Sequence, residues 1–351
     1  MENQATHSSA TERETVLVTG ATGYVGRHVV RQIARSGYAV RALVRPDSER
    51  EVLGAEVDDF HEGDVTNAES LRGACSGCAG VVHLVGVINE KEGTFETIHV
   101  NGTRHILGEA QRAGVKRFIY LSGLGARRDA RAHYHQTKYA AEQSVLNPGN
   151  GMEGYCFQAS VIFGPEDEFL NQFVAMAGSA FNPPWPVMPA IAGGHSYLQP
   201  VWIEDVAECL ARSLRPDFAL PPGSYELGGP EALTVREIMR IACKAAGSAR
   251  WFVPVRLSIA RMLALLMETF SKKPLLTRDQ LIMLGEDGRA KHSMTEKILA
   301  RPARTLWDYT CEQFHLDHRK AFVVGGSHFM NPIRAQDGIL WKPAPPPVEK
   351  Q

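Results

Sequence analysis

The 351-residue chain has no excess of either charge. Its 38 lysines and arginines stand against 39 aspartates and glutamates, a formal net charge of −1. That balance removes the pull by which nucleic-acid binders hold phosphate backbones, so no nucleic-acid partner is expected. No apolar run is long enough to cross a bilayer; the longest helical one, Leu257 to Phe270, is interrupted by Arg261. The opening residues MENQATHSSATERET are polar, without the apolar centre of a secretory signal or the arginine-rich character of a mitochondrial presequence. Residues 1–14 are expected to be a disordered tail. Cysteine is scarce, six in all, which fits reduced thiols in the cytoplasm. Cys75 and Cys78 form a C-x-x-C, but no second pair completes a zinc site. A tight loop before a strand is the better reading. His135, His195 and His292 lack the spacing of metal ligands, so no metal is expected. There is no internal repeat, and the terminal PAPPPVEKQ carries no packing signal.

What is present can build a core: 44% hydrophobic and 22% charged residues, enough for one large or two modest domains. TVLVTG (15–20) is a β-branched apolar run ending in glycine and reads as a buried strand. Val25, Val29 and Ile33 then recur at helical spacing until Gly37. YAVRALVR (38–45), VVHLVGV (81–87), RFIYLS (117–122) and GYCFQASVIFG (154–164) are further strands. Helices fall between them near 97–113 and 134–146. This alternation predicts a doubly wound parallel α/β sheet, a Rossmann fold over 15–165. A smaller substrate or lid region is expected over 166–300, and a C-terminal extension over 301–351. Residues 178–194, FNPPWPVMPAIAGG at their centre, read as a loop or lid rather than a strand. A helix over 205–215 is expected with Asp205 as its N-cap. Another, over 234–246, has the capping-box pair Thr234 and Glu237.

The first strand runs into Gly20, Gly23 and Gly26 and then into a helix. In that setting the glycines permit a tight turn, close backbone approach to a pyrophosphate, and close helix–sheet packing. The anion would meet free N–H groups at the positive end of the helix. Arg45 stands at the end of the second strand, where NAD-selective sites usually carry an acid. A cation there suits a 2′-phosphate, so NADP(H) is favoured over NAD(H), with Arg27 assisting. Asp64, after a third short strand, is placed to accept from the adenine amino group, with Val65 packing on the ring. Asp64 or Thr66 starting the next helix is the structural alternative.

Several segments together resemble the short-chain dehydrogenase/reductase superfamily, in its extended or atypical branch: VTGATGYVGRHVV, EGDV, VVHLVG, HVNGTRHIL, KRFIYLSGLGA and YHQTKYAAE. Within that branch LQPVWIEDVAECL and PLLTRDQLIMLGEDG resemble the group that contains alpha-subcomplex subunit 9 of NADH:ubiquinone oxidoreductase and its bacterial relatives. The resemblance implies that Tyr134 donates a proton, Lys138 binds the nicotinamide ribose and Ser122 polarises a substrate carbonyl. The same motifs make Thr22, Tyr24, Val25 and Leu84 cofactor-binding candidates. The residues themselves point the same way. One helical turn puts Tyr134 and Lys138 on one face. A lysine ammonium nearby is expected to lower a tyrosine from its ordinary value of about 10. Asn101, on the preceding helix, is placed to hold a relaying water. Gln158, Ala159 and Ser160 stand where such relatives often have Arg-Pro-Ser, which removes any substrate contact assigned to that arginine. For Arg127, Arg128 and Arg131 in the loop before Tyr134, the two readings are contact with an anionic substrate or headgroup and solvated surface charges, and the second is the better.

Residues 255–274 place Val255, Ile259, Met262, Leu263, Leu266, Met267 and Phe270 at helical spacing, with Lys272 and Lys273 beyond. Packing on the substrate region and contact with a lipid surface are the two readings. The functional expectation is an NAD(P)(H)-dependent oxidoreductase acting on a carbonyl or quinone-like small molecule. The alternatives are a nucleotide-holding, non-catalytic subunit of a respiratory or membrane complex, and a nucleotide-sugar epimerase or dehydratase. Arg45 argues against the last. The expected setting is the cytoplasm, or the periphery of the inner membrane.

Overall fold

Val16 and Val18 point to one side of the first strand and Leu17 to the other, and all three are fully buried. A strand buried on both faces belongs inside a sheet covered by helices on each side. The computed structural model describes residues 13–90, 93–178, 187–270, 277–316, 333–335 and 338–340. Residues 1–12, Lys272, Lys273 and the terminal PAPPPVEKQ lie outside the described residues.

The first half runs β1 (Thr15–Thr19), α1 (Tyr24–Arg35), β2 (Ala39–Val44), β3 (Asp59–Glu62), β4 (Cys78–His83), α2 (Gly102–Arg112), β5 (Arg117–Gly123), α3 (His133–Leu146) and β6 (Glu153–Ala159). The second runs β7 (Ile162–Phe163), α4 (Leu170–Ala177), β8 (Val187–Ile191), β9 (Tyr197–Leu198), β10 (Val201–Trp202), α5 (Ile203–Ser213), β11 (Gly223–Leu227), β12 (Leu233–Thr234), α6 (Val235–Ala245), β13 (Trp251–Val255), α7 (Leu257–Phe270), α8 (Arg278–Leu284), α9 (Thr295–Leu299) and α10 (Leu306–Gln313).

Seven strands form one parallel sheet in the order β11-β6-β5-β4-β1-β2-β3. The order reverses between β1 and β4, which opens a crevice at the carboxyl edge, where ligands of such sheets sit. Val16, Val82, Ile119 and Phe157 pack on Val29 and Ile33 of α1 and Val206 and Leu210 of α5. Leu17, Val81, Phe118 and Cys156 pack on Ile106 of α2 and Val145 of α3. The doubly wound reading therefore holds. A smaller core gathers Phe163, Leu170, Met188, Trp202, Ile238 and Tyr309 beside the sheet edge.

Three expectations change. Residues 187–191 are a strand, β8, because they pair in parallel with β13 from Trp251↔Val187 to Val255↔Ile191. The strand expected over 154–164 is two, β6 and β7, and β7 leaves the main sheet to pair with β10. Asp205 caps nothing. The helix starts at Ile203, and Asp205 is buried within it, accepting from the Arg304 backbone N–H and pairing with Arg301 at 2.8 Å. Thr234 and Glu237 do form the reciprocal capping box.

Candidate active site

α1 begins at Tyr24 with Gly23 at its N-cap, no side-chain cap and no acid in its first turn. Its leading N–H groups are thus left for an outside anion. Gly20 adopts φ +68°, and a Cβ there would lie 3.1 Å from the Val85 nitrogen. At Gly26 a Cβ would lie 2.1 Å from the Gly20 carbonyl oxygen and 2.5 Å from that of Ala21. The turn closes only without side chains at both positions. These residues fit a dinucleotide pyrophosphate.

The other cofactor candidates surround that turn. Thr22 and Val25 are half-buried on it. The Leu84 backbone N–H donates to the Thr19 carbonyl at 3.2 Å, so β4 passes directly beside Gly20. Tyr24 reaches across to Gly164, and its buried hydroxyl has no hydrogen-bond partner. Burial raises that phenol, with Asp167 and Tyr309 adding to the effect. Arg27 is engaged elsewhere, pairing with Glu166 at 2.8 Å. Arg45 follows the last residue of β2 and is exposed, 3.9 Å from Asp47. Asp64 accepts at Oδ1 from both the backbone N–H and the hydroxyl of Thr66, at 2.8 Å each. Neither Asp64 nor Thr66 starts the next helix, which Asn67 caps by accepting from the Glu69 N–H. Val65 is buried against Gly102.

The second cluster lies where β4 and β5 end. The register Val82↔Ile119, His83↔Tyr120 carries the chain on to Leu121 and Ser122 at the carboxyl edge. Lys138, on α3, is buried; its ammonium donates to the Leu121 carbonyl at 2.8 Å and sits 4.6 Å from the Tyr120 ring centroid. Burial pushes the ammonium down to about 8. Tyr134, one turn earlier, lies over Gly123, where a Cβ would stand 3.3 Å from its hydroxyl. Burial pushes the Tyr134 phenol up to about 12. The expected lowering by Lys138 is thus reversed here, because the ammonium is turned to Leu121 and desolvation prevails. Ser122, one residue before the end of its strand, is buried, with its hydroxyl close to the Glu142 carboxyl.

Asn101 ends the segment Glu96–Asn101 and is half-buried. His99, two residues earlier, stands beside Tyr134. Residues Glu96–Asn101 are wound as a π-helix ahead of α2, and the extra residue per turn rotates the register. The His99 ring meets Tyr134 edge-on at 5.4 Å and stacks on Phe95 at 5.3 Å. Its Nδ1 is 3.0 Å from the Thr137 hydroxyl, and its Nε2 contacts both the N–H and the carbonyl of Val87 at 3.1 Å. Burial, reinforced by Lys138, pushes His99 down to about 2, so the ring is neutral. His83 behaves alike, pushed down to about 3 while bridging Thr19 and Thr103. Glu142, one turn beyond Lys138, is buried, and both its oxygens accept from the Gln158 amide at 3.0 Å. Burial raises its carboxyl, against nearby Ser122 and Gln158. Gln158 therefore faces α3 and not a substrate. The sequence reading flagged neither His99 nor Glu142; the i, i+4 step from Lys138 is the one signal that could have found the latter.

A cavity of about 550 Å³ opens at the start of α3, lined by Phe95, His133, Asp279 and Ile282 among others. The Tyr134 backbone N–H donates to the Asp279 carboxylate at 2.9 Å, and Arg127 pairs with Glu286 at 3.3 Å. Arg127 is thus bound to the α8 segment rather than freely solvated.

Comparison with known proteins decides the family. The model of the NAD dependent epimerase/dehydratase family matches residues 16–228. The chain belongs to that family. As a member it is 30% identical over 256 residues to the mitochondrial NADH dehydrogenase [ubiquinone] 1 alpha subcomplex subunit 9 of Arabidopsis thaliana, covering 70% of this chain and 61% of that protein. The chain therefore spans about three fifths of that relative's length. It is also 31% identical to a ceramide reductase of Caulobacter vibrioides, covering 67% of this chain and 72% of the reductase. Among solved structures, an NADPH-dependent quinone oxidoreductase of Escherichia coli superposes with a TM-score of 0.67 over 85% of this chain and 99% of that one, at 18% identity. That likeness speaks to the fold, which this family member shares. Among the described residues no helix is long and apolar enough to cross a membrane.

Proposed function

We propose that this epimerase/dehydratase-family chain is an NADP(H)-dependent oxidoreductase that reduces a carbonyl or quinone-like small molecule. The observation that carries the reading is Tyr134 and Lys138 on one face of α3, at the same sheet edge as the glycine turn and beside the cavity. Gly20, Gly23 and Gly26 would hold the diphosphate, Lys138 a ribose hydroxyl, and Arg45 the 2′-phosphate. When bound, the reduced nicotinamide supplies hydride. Tyr134, pushed up to about 12, remains a phenol at neutral pH and gives its proton to the substrate oxygen. The Ser122 hydroxyl, at the same strand end, donates to the same oxygen. The name carried by the Caulobacter relative supports a reductase.

A second reading, a nucleotide-holding subunit of a respiratory complex, is favoured by the likeness to the plant alpha-subcomplex subunit. Mass identification of the copurified nucleotide and a panel of quinone and aldehyde substrates separate the two. Under the first reading, Tyr134→Phe lowers kcat by about 10²–10⁴-fold and leaves NADPH affinity intact. Equal turnover in the two proteins overturns it. Tight NADPH without turnover on any substrate favours the second.

A further inference from the structure

Over residues 259–265, α7 turns its small side chains inward and its large ones outward. Its alanines Ala260 and Ala264 are buried against Leu281 of α8. Its larger side chains Ile259, Met262 and Leu263 are 47%, 58% and 47% exposed. A helix that had only its own protein to pack on would turn the large apolar side inward. β13, directly before it, repeats the inversion. Phe252 packs inward under the Arg236 guanidinium, while Trp251 and Val253 are 75% and 46% exposed. With Leu265, six large apolar side chains therefore face out from the described residues of two consecutive elements, which single scattered hydrophobics would not explain.

Charge selects what they face. Residues 251–265 contain Arg256 and Arg261 and no carboxylate. Both arginines are exposed, and neither pairs with a described carboxylate. An apolar face with an indole, flanked by cations on long flexible stems, matches the boundary of an anionic bilayer, where rings sit at headgroup depth and guanidinium groups reach phosphates. We propose that β13 and the outer face of α7 dock on an anionic lipid bilayer. Arg261 also lines the 550 Å³ cavity that reaches His133 and Phe95, so docking sets the cavity mouth against lipid. Resting on the reductase reading, the substrate class is then a membrane-resident amphiphile whose polar end enters the cavity.

The test uses the full chain with phosphatidylcholine vesicles, with and without phosphatidylglycerol, in the absence of nucleotide. Co-sedimentation is expected with the anionic vesicles, with a blue shift of tryptophan emission that Trp251→Phe removes. Met262→Ser with Leu263→Ser abolishes co-sedimentation, and Arg256→Glu weakens it by about an order of magnitude. Circular dichroism melts matching the parent exclude misfolding as the cause. No co-sedimentation with anionic vesicles overturns the proposal. So does equal binding to both vesicle types, or a self-associated parent that the serine pair turns into a monomer. Tyr134→Phe is expected to bind vesicles as the parent does, so loss of the reductase reading leaves the docking result standing.

Discussion

A buried ammonium is costly to fold around, and Lys138 is one. Its single described hydrogen bond, to the Leu121 carbonyl, and its stacking on Tyr120 do not offset the loss of water, since it is pushed down from 10.5 to about 8. Between those two values the unfolded chain binds a proton that the folded chain does not. Stability attributable to this group therefore rises with pH through that window and is lowest below pH about 8. Lys138→Met should melt at a higher temperature than the parent at pH 7, with the gap closing as pH climbs toward 10.5. The same substitution should weaken NADPH binding, measured by calorimetry. A lower melting temperature at pH 7 would show that the Leu121 and Tyr120 contacts outweigh desolvation. Residues that cost stability are expected at functional positions, and Lys138 was visible as one from its four-residue step after Tyr134. His99 was not visible, because the π-turn that aims it leaves no mark in HVNGT.

At the scale of elements, α3 and α8 are linked at the wall of the cavity, which His133 and Asp279 both line. The Asp279 carboxylate accepts from a first-turn N–H of α3, that of Tyr134, at 2.9 Å. It thereby serves as a cap supplied from 145 residues away, at the positive end of the helix that carries the proposed acid. A hydrogen bond to a charged group contributes roughly 1.5–3 kcal/mol. Asp279→Ala should speed hydrogen exchange over residues 277–284 and raise the substrate KM, with NADPH affinity unchanged. Unaltered exchange there would mean that α8 is held by its other contacts alone. The TRDQ stretch carries a Thr277–Gln280 capping box that does form and that the sequence reading passed over, and no local pattern shows what Asp279 reaches. The β8–β13 pairing was hidden for the same reason. Its partners are 64 residues apart at Val187 and Trp251, and the surrounding prolines made the first of them read as loop. Where periodicity is local, as in β1, α1, β2 and β5, the reading and the structure agree to within a residue or two.

At the scale of the molecule, the proposed boundary near residue 165 divides the motifs but not the core. β11 returns from the second half to pair with β6 along Gly223↔Tyr155 to Leu227↔Ala159. Val206, Leu210, Leu214, Leu227 and Leu299 belong to the same hydrophobic cluster as Val16 and Ile33. Each such side chain contributes about 1.5–3 kcal/mol when buried, so the five together match the whole net stability of a domain, about 5–15 kcal/mol. Polar ties reinforce the union: His28 on α1 lies 2.6 Å from Glu204 on α5, and Arg117 on β5 donates to the Ser213 carbonyl at 3.1 Å. A chain stopped at Pro165 would keep every glycine of the phosphate turn and every residue of the Tyr134–Lys138 pair, yet leave β6 as an uncovered apolar edge. It should show no cooperative melt and no NADPH binding. The full chain should unfold in one calorimetric transition that NADPH shifts upward by about 2.7 kcal/mol at a hundredfold excess over Kd. A fragment that melts cooperatively and binds NADPH would show instead that the nucleotide half folds by itself, and that the second half contributes only the cavity.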